Sequence, residues 1–131
     1  MTSIVYLHFL PLLLCFAFSI TLKQKQVQKV ALHIINDLPE SSDILDLGCR
    51  NNGYHKPHQN LTKGDVYRWD IEETKLYNCD ALWEKKMVTW AAYDSSRDSP
   101  YEEVFWAVKG DGIYLSYKAW DKSTWKKSVN W

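Results

Sequence analysis

The side chains able to do chemistry are few, and the cysteines come first. Cys49 and Cys79 stand about 30 residues apart, and a third cysteine, Cys15, lies in the apolar leader. Outside the cytosol, two thiols in one small domain tend to pair. A bond between Cys49 and Cys79 would stabilise the fold by roughly 3 kcal/mol on the chain-entropy account. The alternative is a pair of buried free thiols whose side chains point apart, and the sequence leaves both open. Asn60-Leu61-Thr62 is an N-glycosylation sequon in a segment of loop composition. His55 and His58 form a loop pair without a third ligand, which reads as exposed histidines before it reads as a metal site. His33 sits inside a strand pattern and is expected to be a packed ring with one hydrogen bond.

Catalysis finds no frame. Ser41, Ser42, Ser95, Ser96 and Ser99 lie in polar segments, none within a nucleophile elbow. Asp43 with Asp46, and Glu72 with Glu73, are carboxylate pairs at spacings common on any wet surface. A glycosidase would need two opposed carboxylates across a cleft. No catalytic, cofactor-binding or metal-binding residue is therefore assigned. The tryptophans are the remaining candidates. Trp69, Trp83, Trp90 and Trp106 fall in strand patterns and read as core. Trp120, Trp125 and Trp131 cluster near the C-terminus among Lys118, Lys122, Lys126 and Lys127. They are either a strand folded over an open edge or an exposed aromatic platform for a sugar or a partner.

The elements that must position these groups are strands. Val104, Trp106 and Val108 alternate on one arm of a hairpin, and Ile113, Leu115 and Tyr117 on the other. Asp111-Gly112 suits a two-residue turn, which sets Val108 opposite Leu115 and Trp106 opposite Tyr117. A turn at Gly110-Asp111 keeps the same face, so the pattern allows both registers. Further strands read at 30–35, 44–49, 66–71, 75–83 and 87–93, with an eighth at 125–131. The stretches 50–59 and 94–100 have loop composition, and Lys85-Lys86 marks a turn. No segment keeps a helical period. Seven or eight short strands with turn signals between them predict an all-β, small antiparallel β-sandwich.

The chain has 131 residues, and 15% are aromatic, which helps a small domain bury enough surface. Its 16 Lys+Arg balance 16 Asp+Glu without a long basic run. Nucleic acid and acidic membrane surfaces are therefore not expected partners. Residues 1–22 carry no charged side chain, and 4–20 is strongly apolar. Ala17-Phe18-Ser19 offers small residues at the positions a signal peptidase reads. The expectation is a cleaved signal at 1–19 and a single mature domain at 20–131, secreted and extracellular, with no membrane insertion. The rival is an uncleaved anchor, since the stretch is almost long enough to span a bilayer. Residues 23–29 read as a solvated polar lead.

The order of features resembles the plant self-incompatibility S-protein family. The landmarks are Leu32-His33-Ile34-Ile35-Asn36-Asp37, Gly48-Cys49-Arg50, Leu61 with Lys63-Gly64, and Tyr67-Arg68-Trp69. They continue with Leu76-Tyr77-Asn78-Cys79-Asp80, Trp83, and Phe105-Trp106-Ala107-Val108 before Asp111-Gly112-Ile113-Tyr114. The resemblance implies a small secreted β-sandwich without catalysis, whose founding members are stigma ligands for a receptor on pollen. The family pattern carries four mature cysteines, two of them just before the hairpin tryptophan. Here those positions hold Pro100 or Tyr101, and Val104. If the family bonds run from early to late cysteines, Cys49 and Cys79 have both lost their partners.

Three functions compete. The first is a secreted recognition protein acting on a cell-surface receptor through the loops 50–60 and 94–101. The second is a secreted carbohydrate-binding module using the C-terminal tryptophans. The third is a small hydrolase using His33 or His58.

Overall fold

The computed structural model describes residues 27–131. The leader, its cleavage point, the rival anchor, Cys15 and most of the polar lead lie outside the described residues. Nine strands follow in order: β1 (Lys29–Asn36), β2 (Leu45–Asn51), β3 (Tyr54–Leu61), β4 (Val66–Glu72) and β5 (Tyr77–Trp83). After them come β6 (Lys86–Tyr93), a single helical turn α1 (Ser95–Asp98), β7 (Glu103–Lys109), β8 (Gly112–Ser116) and β9 (Lys126–Val129). Five strands form one sheet in the order β4-β1-β7-β8-β9, and four form the other in the order β3-β2-β5-β6. No helix of the described residues is long and apolar enough to cross a membrane.

Alternation builds the core, as a sandwich requires. Val30, Leu32 and Ile34 of β1 are buried, while the residues between them are half-covered. Leu45, Leu47 and Cys49 of β2 face Tyr77, Cys79, Ala81 and Trp83 of β5 on the inner side of the smaller sheet. Trp106 is fully buried at the centre. Its Nε1 donates to the Ala92 carbonyl of the facing sheet at 2.8 Å, and its ring meets Trp90 edge-on at 5.9 Å. Asn36 is the polar exception. Its Nδ2 donates to the Leu61 carbonyl and its Oδ1 accepts from the Leu38 amide, so its burial leaves the side chain satisfied.

The all-β sandwich stands, with differences of detail. The strand count is nine because 54–61, expected as loop, is the edge strand β3. Its side chains are almost all exposed, so it shows no apolar alternation. Pro57 and His58 together oppose Gly48, a two-against-one bulge of the kind that lets an edge strand hold a proline. One pairing is parallel: β1 runs alongside β7, with Leu32 opposite Val104 and Ile34 opposite Trp106. The other pairings are antiparallel.

The central hairpin takes the second register. Val108 pairs with Ile113 and Trp106 with Leu115, so the turn is Gly110-Asp111, not Asp111-Gly112. Gly112 has φ +151, and a Cβ there would stand 2.6 Å from the Val129 carbonyl oxygen. The glycine serves the close approach of β9 as well as the backbone angle. The turn before β6 is Glu84-Lys85, with Glu84 in the left-handed region at φ 55.

Candidate functional site

Strand registers bring four connections to one end of the sandwich. These are the β2–β3 turn at 52–53, the β4–β5 turn at 73–76, the β6–β7 connection at 94–102 and the β8–β9 connection at 117–125. The expected partner segment 94–101 lies there as α1 with its flanks, whereas 50–60 reaches this end only by its 52–53 turn and runs away from it along β3. Tyr54, Leu76, Tyr101 and Trp120 are large and exposed, one from each of the four connections or its first strand residue. Tyr54, Tyr101 and Trp120 are the exposed large aromatics among the described residues, and all three sit at this end. The exposed large hydrophobic side chains of the other connections and of the strand faces are aliphatic or Met: Ile44, Val66, Leu82 and Met87.

A buried charge cluster stiffens this end. Asp98, at the close of α1, is 0% exposed. Its carboxylate accepts from Arg97 Nε at 2.8 Å, from Arg97 Nη2 at 2.6 Å, from the Asp94 amide at 2.9 Å and from the Tyr117 hydroxyl. Burial works against the Arg97 charge, yet the bonds and field of Asp98 hold its pKa above the ordinary value. The guanidinium also lies 5.2 Å from the centre of the Trp106 ring. Burial, then the bond to Asp98, pushes the Tyr117 phenol upward. Asp94 caps α1, and its bonds from Ser96 hold its carboxyl below the ordinary range.

Tyr101 lies flat on Tyr117, with ring centres 3.6 Å apart and planes 9° apart. The pair borders an open groove of about 520 Å³ that runs along β8 and β9 past Leu115, Lys118 and Lys126. Ile113 of β8 is fully buried, whereas Leu115, Tyr117 and Val129 are only partly buried against the core, and Leu115 and Tyr117 line the groove.

The other expected residues are scattered. Cys49 and Cys79 are directly opposed in the β2–β5 pairing and joined, with sulfurs 2.02 Å apart. Asn60 is exposed on β3, opposite Asp46. His58 Nδ1 lies 2.8 Å from Asp46 Oδ1 on the outer face of the smaller sheet. His33 stacks on Phe105 at 4.5 Å on the outer face of the larger sheet, and its Nε2 lies 3.5 Å from Glu103 Oε1 without a hydrogen bond of regular geometry. The two histidines of the hydrolase reading therefore lie on opposite outer faces. Among the described residues, no group of three or more His, Cys, Asp or Glu is arranged to hold a metal ion. The C-terminal tryptophans do not form one platform. Trp131 packs on Trp83 at 5.5 Å and donates to the Lys109 carbonyl at the far end. Trp125 is half-buried, and Trp120 alone is 75% exposed.

The family model for plant self-incompatibility protein S1 matches residues 31–131. The chain belongs to that family. The solved structure of a self-incompatibility protein homologue matches with a TM-score of 0.62, at 18% identity over 80% of this chain and 96% of that one. That structure is described as representing a widespread family of small, highly stable, secreted proteins from plants. No curated protein sequence matched. The self-incompatibility fold thus has its central tryptophan hairpin here, with a cysteine pair confined to β2 and β5. Sequence reading missed Asp98, because a buried carboxylate in a polar stretch looks like any loop acid.

Proposed function

We propose that this protein is a secreted, non-catalytic recognition protein that docks its aromatic loop end on a cell-surface receptor. The observation that carries this reading is the gathering of Tyr54, Tyr101 and Trp120, with Leu76, on four connections of one end. Single exposed apolar residues are ordinary on a protein surface; aromatic ones gathered on one rigid end are what a docking hot spot needs. Membership in the self-incompatibility family supports the same role. In this reading the leader is removed after Ser19, Asn60 carries a glycan and the Cys49–Cys79 bond persists in the mature protein. A glycan at Asn60 would stand on an edge strand of the smaller sheet and leave the loop end open.

The test uses protein purified from the medium of plant cells expressing the full chain. Intact mass should begin at Ile20, carry a glycan and be two hydrogens lighter than the dithiol. Labelled protein should bind plant protoplasts saturably, and mild proteolysis of the cells should abolish that binding. Retention of the full chain in membranes, or binding indifferent to proteolysis of the cells, would overturn the reading.

A further inference from the structure

We propose that the groove between Tyr101 and Lys126 is a binding site for a uronic-acid oligosaccharide. This ligand is not the receptor, although Tyr101 borders both surfaces, and the inference is tested without receptor binding. Three kinds of group meet in the groove. The first is an aromatic platform. Tyr101 is 42% exposed although one ring face lies on Tyr117. Tyr117 is in turn held through its hydroxyl by the buried Asp98, so the platform is in place before a ligand arrives. The C–H face of a pyranose stacks on such a ring.

The second is unpaired positive charge. Lys118 and Lys126 line the groove, and neither forms a salt bridge among the described residues. From Lys118 to the C-terminus the side chains are Lys118, Lys122, Lys126 and Lys127 against Asp121, and of these lysines Lys127 pairs with Asp111. The Asp121 carboxylate is already engaged by the Ser123 hydroxyl and amide. Lys126 stands opposite Leu115 in the β8–β9 pairing, and both line the groove, so its charge sits beside the apolar side chain there.

The third is hydrogen-bond acceptors. The Ser123 hydroxyl donates to Asp121 and the Ser128 hydroxyl to the Lys126 carbonyl. Each oxygen keeps lone pairs that accept from a sugar hydroxyl. A uronate uses all three features: its carboxylate meets the lysines, its hydroxyls the serines and its ring face Tyr101. A neutral sugar leaves the lysines unused, and an acidic peptide leaves the platform unused. The sugar-binding alternative drawn from the C-terminal tryptophans thus moves to a tyrosine and two lysines.

The experiment is calorimetric titration of the mature protein with a galacturonate hexamer, a neutral glucose hexamer and hexaglutamate. The galacturonate hexamer should bind at least tenfold more tightly than either of the others. Tyr101→Ala and Lys126→Ala should each weaken it at least tenfold, while Lys85→Ala, at the far end, leaves it unchanged. Thermal melting of each variant separates lost binding from lost folding. Equal binding of hexaglutamate, equal binding of the neutral hexamer, absence of galacturonate binding, or an unchanged affinity in folded Tyr101→Ala would each overturn the proposal.

Discussion

Asp98 is the residue on which the loop end depends. Four donors converge on a carboxylate with no solvent exposure, and removing it strands Arg97, Tyr117 and the Asp94 amide together. Breaking a fully buried pair from one side costs about 3–5 kcal/mol. Arg97 keeps 36% of its side chain exposed and can rehydrate, so Asp98→Ala is expected to cost about 2–3 kcal/mol in denaturant unfolding. A loss under about 1 kcal/mol would show that the cluster does not hold the fold. Tyr117 adds a pH dependence with a definite sign. Its folded pKa is raised above the ordinary 10.0, so the stabilisation is complete below that value and is lost as pH climbs beyond it. Tyr117→Phe should make the alkaline fall in stability shallower without removing it, because Tyr67, Tyr93 and Tyr114 are raised too. An unchanged alkaline profile would remove Tyr117 from that account.

At the scale of elements, the hairpin β7–β8 shows what pattern can and cannot specify. Alternation of Val104, Trp106 and Val108 against Ile113 and Leu115 was enough to identify the hairpin and its buried face. It did not choose between two turns, because both keep that face. In the observed register Gly112 follows the turn with a positive φ and lies under the Val129 carbonyl of β9, a contact the local pattern does not show. Gly112→Ala should therefore cost about 1–3 kcal/mol and detach β9 first, seen as faster amide exchange at 126–129 than in β7. Uniform exchange across β7, β8 and β9 would contradict that order. The strand β3 was hidden for another reason. An exposed edge strand buries little, so Tyr54 to Asn60 carry the composition of a loop. The parallel β1–β7 contact was equally hidden, since Leu32 and Val104 carry no local sign of being neighbours. Long-range choices of this kind also separated the C-terminal tryptophans. Trp131 found Trp83, while Trp120 stayed in solvent.

For the whole molecule, the two ends of the sandwich differ in chemistry. One end gathers the exposed aromatics and the stiffening cluster of Arg97, Asp98 and Tyr117; the other is closed by Trp131 on Trp83 and shows aliphatic side chains. The cysteine pair joins neighbouring strands within one sheet, near the loop end of β2 and the start of β5, so it braces the smaller sheet there while Asp98 holds the β6–β7 connection. The measurement that tests the central claim compares two triple variants for binding to protoplasts. Tyr54→Ser, Leu76→Ser and Trp120→Ser alter the loop end; Ile44→Ser, Leu82→Ser and Met87→Ser alter exposed sites elsewhere. With melting temperatures matched to the parent, the first variant should lose affinity at least tenfold and the second should bind as the parent does. Parent-like binding by the first, or a tenfold loss in the second alone, would contradict the assignment of the recognition surface.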